Sequence, residues 1–253
     1  MLKNRIQFVR QFKFCFTFSL TMLALLACGK SAPTGGNGEN SGPRSKFPFF
    51  GDATTYAVLA NTGVFNTGSG VIYGDIGTVK GAIAGTDLVK RTGGQVHTAD
   101  AAAAKAQSDA AVSYGNVNAK GCDYNLSGQD LSGMTLTPGT YCFDGDAALM
   151  SEQVLHLDFQ GNKSAYFLFR VGRNLITVPG AAVTLDNKGE SCNVFWTLPG
   201  TARVERGSNF QGGILALGDI TLGEKAVLNG KLVSRNGSIR LNSNEIYNNT
   251  CNE

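Results

Sequence analysis

Short apolar alternations recur from Ala147 to Ile246 with no long helical pattern between them, and they restrict the fold more than any other feature of this chain. Leu155-His156-Leu157-Asp158-Phe159, Val183-Thr184-Leu185-Asp186, Ile214-Leu215-Ala216-Leu217, Ile220-Thr221-Leu222, Leu228-Asn229-Gly230-Lys231-Leu232 and Ile239-Arg240-Leu241 each place apolar residues at period two. Such alternation reads as half-buried strands. Corresponding points return at intervals of 18 to 28 residues, from Leu157 to Leu185, Leu185 to Phe210, Phe210 to Leu228 and Ile220 to Ile239. Gly161, Gly180, Gly207, Gly218 and Asn236-Gly237 punctuate them. A repeat of this size indicates the coils of a solenoid, each turn burying its inner row against its neighbours. The expected fold class is mainly β.

Upstream, Tyr56-Ala57-Val58-Leu59, Val64-Phe65-Asn66-Thr67-Gly68 and Val71-Ile72-Tyr73-Gly74-Asp75-Ile76-Gly77 read as further short strands. Gly74-Asp75-Ile76 is echoed by Gly218-Asp219-Ile220, which assigns an N-terminal coil to the same solenoid. Between Thr98 and Ala119 the composition turns to strong helix formers, with no Gly or Pro before Gly115. Thr98 is the expected N-cap, with Asp100 in the first turn. Ala99, Ala103, Ala106, Ala110, Tyr114 and Val117 share one helical face, while Lys105 and Asp109 form an i,i+4 pair. A face lined with Ala lets the helix lie close along a flank of the solenoid. The more continuously apolar stretches Ala165 to Val171 and Asn193 to Thr197 are expected as inner strands covered on both sides.

The N-terminus carries a different signal. Lys3, Arg5, Arg10 and Lys13 precede an apolar core from Phe14 to Leu26, and Leu25-Leu26-Ala27-Cys28 closes it like a bacterial lipobox. The expected organisation is a lipoprotein signal peptide at 1–27, a lipidated Cys28 with a Gly-rich flexible linker at 28–46, and one folded domain at 47–253. The expected location is an exported lipoprotein anchored in a bacterial cell envelope, at the outer membrane or cell surface. Removing the signal takes 4 of the 22 Lys and Arg and none of the 19 Asp and Glu, so the remainder is near charge balance. The remaining basic residues are scattered, so no basic patch points to nucleic acid. Cys15 also falls in the signal, leaving Cys122, Cys142, Cys192 and Cys251 in an exported chain. Two disulfides are expected in an oxidising compartment, with three pairings open. Cys122 with Cys142 would close a local loop, and Cys192 with Cys251 would pin the C-terminal tail.

The usual catalytic signatures fail. Asp75, Asp158, Asp186 and Asp219 are the carboxylates that a β-helical glycosidase or lyase would use, but each falls at a strand end or turn where Asp bonds local backbone. His97 and His156 are the two histidines, neither at metal-ligand spacing from Cys or carboxylates. His97 suits the junction into the helix. Trp196, between Phe195 and Thr197, reads as core or inter-coil packing.

Taken in order, Tyr56-Ala57-Val58-Leu59-Ala60, Gly74-Asp75-Ile76-Gly77, His97 to Ala104, Leu136-Thr137-Pro138-Gly139-Thr140-Tyr141, Cys192-Asn193-Val194-Phe195-Trp196, Gly213-Ile214-Leu215-Ala216 and Asn229 to Gly237 resemble the microbial ice-binding family known as DUF3494. The resemblance runs from about residue 53 to 246. It implies a discontinuous parallel β-helix of triangular section, one long α-helix packed along its side, and an N-terminal coil inserted among later ones. It also implies a non-enzymatic protein that uses no cofactor, works as a monomer and adsorbs to the surface of an ice crystal through one flat face. Carried onto this chain, the outward positions of that face are Val154 and His156, Ala182 and Thr184, Asn209 and Gln211, Val227 and Asn229, and Ser238 and Arg240. His156, Gln211 and Arg240 are bulky or charged for such a face, as are Glu152, Glu205-Arg206 and Glu224-Lys225 in adjoining turns. The expected antifreeze activity is therefore modest. The rival reading is a lipid-anchored adhesin or structural lipoprotein that uses the same face without ice activity.

Overall fold

A computed structural model describes residues 50–250. The signal peptide, Cys28, the linker and Cys251 lie outside the described residues. The strands form a three-sided parallel β-helix. One side is a nine-stranded sheet in the order Val96–Thr98, Asp75–Thr78, Tyr56–Ala60, Leu232–Ser234, Gly213–Ala216, Val194–Leu198, Phe167–Val171, Gly139–Phe143 and Tyr124–Asn125. We call it the helix face. The second face is a seven-stranded sheet that includes Leu175–Thr177, Ile220–Leu222, Ser238–Asn242 and Gly63–Thr67. The third face combines a three-stranded and a five-stranded sheet, joined by the parallel bridge between Ala182 and Asn209.

Registers inferred from sequence are largely met. Leu157 pairs with Leu185, Phe210 with Leu228, and Ile220 with Ile239. Leu185 does not align with Phe210. The Ala182 to Asn209 bridge sets Val183 beside Phe210, a slip of two residues that keeps both inward. The irregular repeat has a single physical origin in the corner between the third and helix faces. Residues 159–166 and 187–193 make that corner in two coils, whereas Gly212 and Gly230-Lys231 suffice in the next ones. Gly230 has φ 154°, and a Cβ there would lie 2.0 Å from the carbonyl oxygen of Gly212, so only glycine lets the short corners stack. For the same reason Leu228 to Leu232, expected as one strand, is split across two faces.

Two expectations about the N-terminal part need correction. Its coils are not inserted among later ones: Val58 pairs with Leu232 and Val71 with Glu245, so Tyr56–Tyr73 stacks on the last C-terminal coil and Asp75–Thr92 stacks beyond it. The chain then has to return past the whole nine-stranded sheet. A single α-helix, α1 (Ala101–Asn118), makes that journey; its 18 residues span about 27 Å of the ~38 Å that eight strand spacings require. The echo between Gly74-Asp75-Ile76 and Gly218-Asp219-Ile220 is not structural equivalence either. Asp75 opens a helix-face strand, and Ile220 opens a second-face strand.

Helix α1 covers the outward row of the helix face. Ala103, Ala106, Ala110 and Val117 pack against Leu59, Leu168, Phe195, Leu215 and Val233. The cap is Asp100 rather than Thr98: its Oδ1 accepts from the Ala103 amide at 2.8 Å, and Ala99 takes φ 53° outside the helix. These two bonds to the cap, from Ala103 and from His97 at 2.8 Å, hold the Asp100 carboxyl below the usual carboxylate range. His97 thus supports the junction into the helix, as expected. Gln107 is buried within the otherwise apolar contact and donates to the carbonyl of Ser234 at 2.8 Å. The expected Lys105 to Asp109 pair forms at 2.6 Å.

Tyr141, Phe169 and Trp196 lie inside the solenoid in one register row, which the exposed Tyr124 continues on the edge strand. Their rings stack at 4.9, 5.4 and 3.8 Å, and Trp196 is fully buried with its Nε1 donating to the Gln211 carbonyl at 3.0 Å. Cys122 and Cys142 form a disulfide beside this stack. Cys192 is also disulfide-bonded, and its expected partner Cys251 lies outside the described residues.

Candidate functional site

The third face presents two straight rows of outward side chains. In one row Val154, Ala182, Asn209 and Val227 are followed by Glu245, Val71 and Lys90. The second row runs Thr135, His156, Thr184, Gln211, Asn229, Tyr247, Tyr73 and Thr92, with Thr184 brought beside Gln211 by the bridge two residues earlier. Between and beneath them, Leu155, Leu157, Val183, Phe210, Leu228 and Ile246 point into the core with no more than trace exposure. Parallel pairing spaces neighbours in a row by ~4.8 Å, and alternation spaces the two rows by ~6.6 Å. The result is a regular grid whose period is set by the backbone and whose chemistry is set by the outward residue.

Eight of the ten candidate positions fall together on this grid: Val154, His156, Ala182, Thr184, Asn209, Gln211, Val227 and Asn229. They form a contiguous window with no Lys, Arg, Asp or Glu in either row. Ser238 and Arg240 are not part of it. Both lie on the second face, where Ser238 donates from its amide to Asp219 Oδ1 at 2.7 Å and Arg240 sits over the Phe65 ring at 5.5 Å. The positions that continue the grid are Glu245 and Tyr247. The signal that finds them is the coil interval: Asn209 to Val227 and Val227 to Glu245 are each 18 residues, whereas Val227 to Ser238 is 11. Thr135, Val71, Tyr73, Lys90 and Thr92 were also missed, because their coils precede the repeat in sequence.

The grid changes character along its length. Around the first strands, His156 Nδ1 lies 2.9 Å from Asp186 Oδ2 and 3.1 Å from Thr184 Oγ1, which fixes the imidazole against the sheet. In the middle, Gln211 Nε2 reaches Asn209 Oδ1 at 3.3 Å and the side chains lie low. At the far end Tyr247 and Tyr73 stack at 5.0 Å, Tyr247 donates to Glu245 at 2.7 Å, and Lys90 and Arg91 are exposed. That bond to Glu245 holds the Tyr247 hydroxyl above its ordinary pKa.

The four candidate catalytic carboxylates do not converge. Asp75 accepts from the Gln95 amide on the helix face, and Asp219 from Ser238 on the second. Asp158 and Asp186 are register partners at the edge of the third face, but Asp158 is engaged by Asn187 at 2.6 Å and Gln160 at 2.8 Å, which lowers its pKa, while Asp186 holds His156. No group of three or more His, Cys, Asp or Glu suited to a metal ion occurs among the described residues.

A parallel β-helix with a helix-covered flank and one open face, whose central window carries no Lys, Arg, Asp or Glu in its outward rows, defines the class of fold. The family model described as "Ice-binding-like" matches residues 58–247, and the chain belongs to that family. The chain is similar to an ice-binding protein of Nostoc sp. (strain HG1), with 34% identity over 199 residues covering 78% of this chain and 73% of that protein. Among solved structures, an ice binding protein from an Antarctic biological consortium superposes with TM-score 0.75 at 31% identity, covering 78% of this chain and 89% of its own. The ice-binding protein of the Antarctic ascomycete Antarctomyces psychrotrophicus gives TM-score 0.76 at 29% identity, covering 79% and 98%.

Proposed function

We propose that this protein binds ice through the third face, in the window of Val154, His156, Ala182, Thr184, Asn209, Gln211, Val227 and Asn229. The observation that carries this reading is the combination of two straight rows with no formal charge from Lys, Arg, Asp or Glu, on a chain whose relatives are ice-binding proteins. A charged group holds a hydration shell that a growing lattice cannot absorb. Small hydroxyl, methyl and carboxamide groups at a fixed period instead hold water in an arrangement that the lattice can continue. Adsorbed molecules then force the ice front to curve between them, which slows its growth. The second face is a poorer candidate, because Arg203 and Arg240 interrupt its central outward row.

Activity is modest in this proposal, since His156 stands above its Thr neighbours and the Tyr73, Tyr247, Glu245 and Lys90 end shortens the usable grid. The protein acts as a monomer tethered by a lipid on Cys28 and the Gly-rich linker, in the envelope of a bacterial cell, with no catalytic step. An acyl chain found on Cys28 by mass spectrometry, and lost in Cys28→Ser, is the expected result for the anchor.

The face is tested by ice recrystallisation inhibition and thermal hysteresis. Thr184→Tyr should abolish activity while Thr221→Tyr, on the second face, leaves it intact. The reverse result would move the site to the second face, and inactivity of the folded wild-type protein would favour the adhesin reading.

A further inference from the structure

We propose that a trough at the edge of the third face is a binding site for a neutral sugar residue, sharing Gln211 and Asn229 with the ice-facing rows. It arises from a step in the fold: the corner between the third and helix faces is seven residues long at 187–193, one residue at Gly212 and two at Gly230-Lys231. Where the long corner overhangs the short ones, a cavity of about 440 Å³ opens, walled on the far side by Asn249. That volume falls within the ~300–1,000 Å³ of small-molecule sites.

The lining is specific in its chemistry. Gln211, Asn229 and Asn249 supply three carboxamides, Ser191 a hydroxyl and Glu190 a carboxylate, with Leu185 as an apolar patch. Their internal bonds are long: Gln211 Nε2 to Asn209 at 3.3 Å and Asn249 Nδ2 to Ser191 Oγ at 3.4 Å. Each amide therefore keeps a second donor and its carbonyl oxygen for a ligand. Sugar hydroxyls donate and accept in adjacent pairs, which carboxamides match, and a carboxylate accepts one of them in a stronger, charge-assisted bond. Leu185 offers contact to the C–H face of a ring. No Lys or Arg lines the cavity, and Glu190 is its one acidic group, with Lys163 Nζ 4.0 Å from Glu190 Oε1, so the site has no net positive charge to hold an anion. The walls are fixed in advance, since Cys192 is disulfide-bonded and the Asn249 amide donates to the Tyr247 carbonyl at 2.9 Å, which lowers the ordering cost of binding.

The test is calorimetric titration of the full-length protein with glucose and N-acetylglucosamine, with glucuronate as the charged control. The neutral sugars should bind, glucuronate should not, and Glu190→Gln and Asn249→Ala should each weaken binding by about tenfold. Neither variant lies in the ice-facing rows, so both should retain ice activity, which separates failure of this site from failure of the ice reading. A second measurement needs no variant: the side-chain amide signals of Gln211 and Asn229 should shift on adding N-acetylglucosamine. Absence of heat with both neutral sugars, equal binding of glucuronate, unchanged affinity in both variants, or shifts confined to other residues would each overturn the proposal.

Discussion

The helix face and the third face are cut from the same coils, at the same spacing and with the same inward rows, yet one is sealed under a helix and the other is open. The difference lies in the outward residue alone. Leu59, Leu168, Phe195, Leu215 and Val233 on the helix face demand an apolar cover, which the small side chains of α1 provide at close range. Thr184, Asn209, Gln211 and Asn229 on the third face satisfy themselves in water. The fold thus fixes a lattice of positions, and one residue in two decides whether protein or solvent covers it.

The sharpest way to break this comparison is to change an outward residue on the covered side. Leu215→Ala removes a fully covered side chain beneath the helix and should cost about 2–5 kcal/mol, measured by urea denaturation. An outward substitution on the third face should change stability by less than about 0.5 kcal/mol. If both cost the same, the third face is under cover in solution and the ice reading weakens.

Next in size is the Cys122 to Cys142 disulfide, which fastens the coil where the returning chain rejoins the stack. For its separation of 20 residues the loop-closure contribution is about 3 kcal/mol. A Cys122→Ala, Cys142→Ala double variant should lose about that much in the same assay, with the third face and its ice activity unchanged below the melting temperature.

The sequence made the two faces legible to different degrees, for physical reasons. Period-two alternation and the Ala-rich segment are local signals, and they identified the strands and the covering helix, whereas the eight central outward positions came from the family resemblance. Stacking order is not local. Nothing near Val58 announces that it stacks beside Leu232, because parallel pairing is specified by matching inward rows far apart in the chain. Ser238 and Arg240 were misplaced because alternation around Ile239 marks an outward row without saying which of three faces it lies on, while the 18-residue interval from Val227 leads to Glu245. The cap was misread because Thr98 and Asp100 both suit the role. The bond from the Ala103 amide to Asp100 Oδ1 settles it in favour of Asp100.

A pH titration separates the covered side from the open one more gently. Lys231 is buried where the helix face begins, its Nζ donating to the Thr54 carbonyl at 2.6 Å and lying 5.2 Å from the Phe50 ring. Burial pushes its pKa from 10.5 down to about 7. Between those values the unfolded chain binds the proton that the folded chain has released, so this group makes stability rise with pH across the window. Tyr56, raised to about 12 mainly by burial and then by Asp100, acts oppositely above 10, where the unfolded phenol ionises first. Denaturation at pH 6, 8 and 10 should therefore show stability rising throughout, with the gain ending between about 10 and 10.5 where the two groups cancel, and Lys231→Met should flatten that rise.

The smallest expected change in stability carries the most functional information. His156→Thr gives up an exposed contact with Asp186, worth about 0–1 kcal/mol, and leaves the inward Leu155 and Leu157 untouched. It would complete a run of three threonines with Thr135 and Thr184 along one row. If the period of the outward row is what ice recognises, thermal hysteresis should increase although the protein is no more stable than before. A decrease would mean that the imidazole, held in place by Asp186 and Thr184, is itself part of the surface that orders water, and the grid would then owe its activity to the fixed position of its groups rather than to their small size.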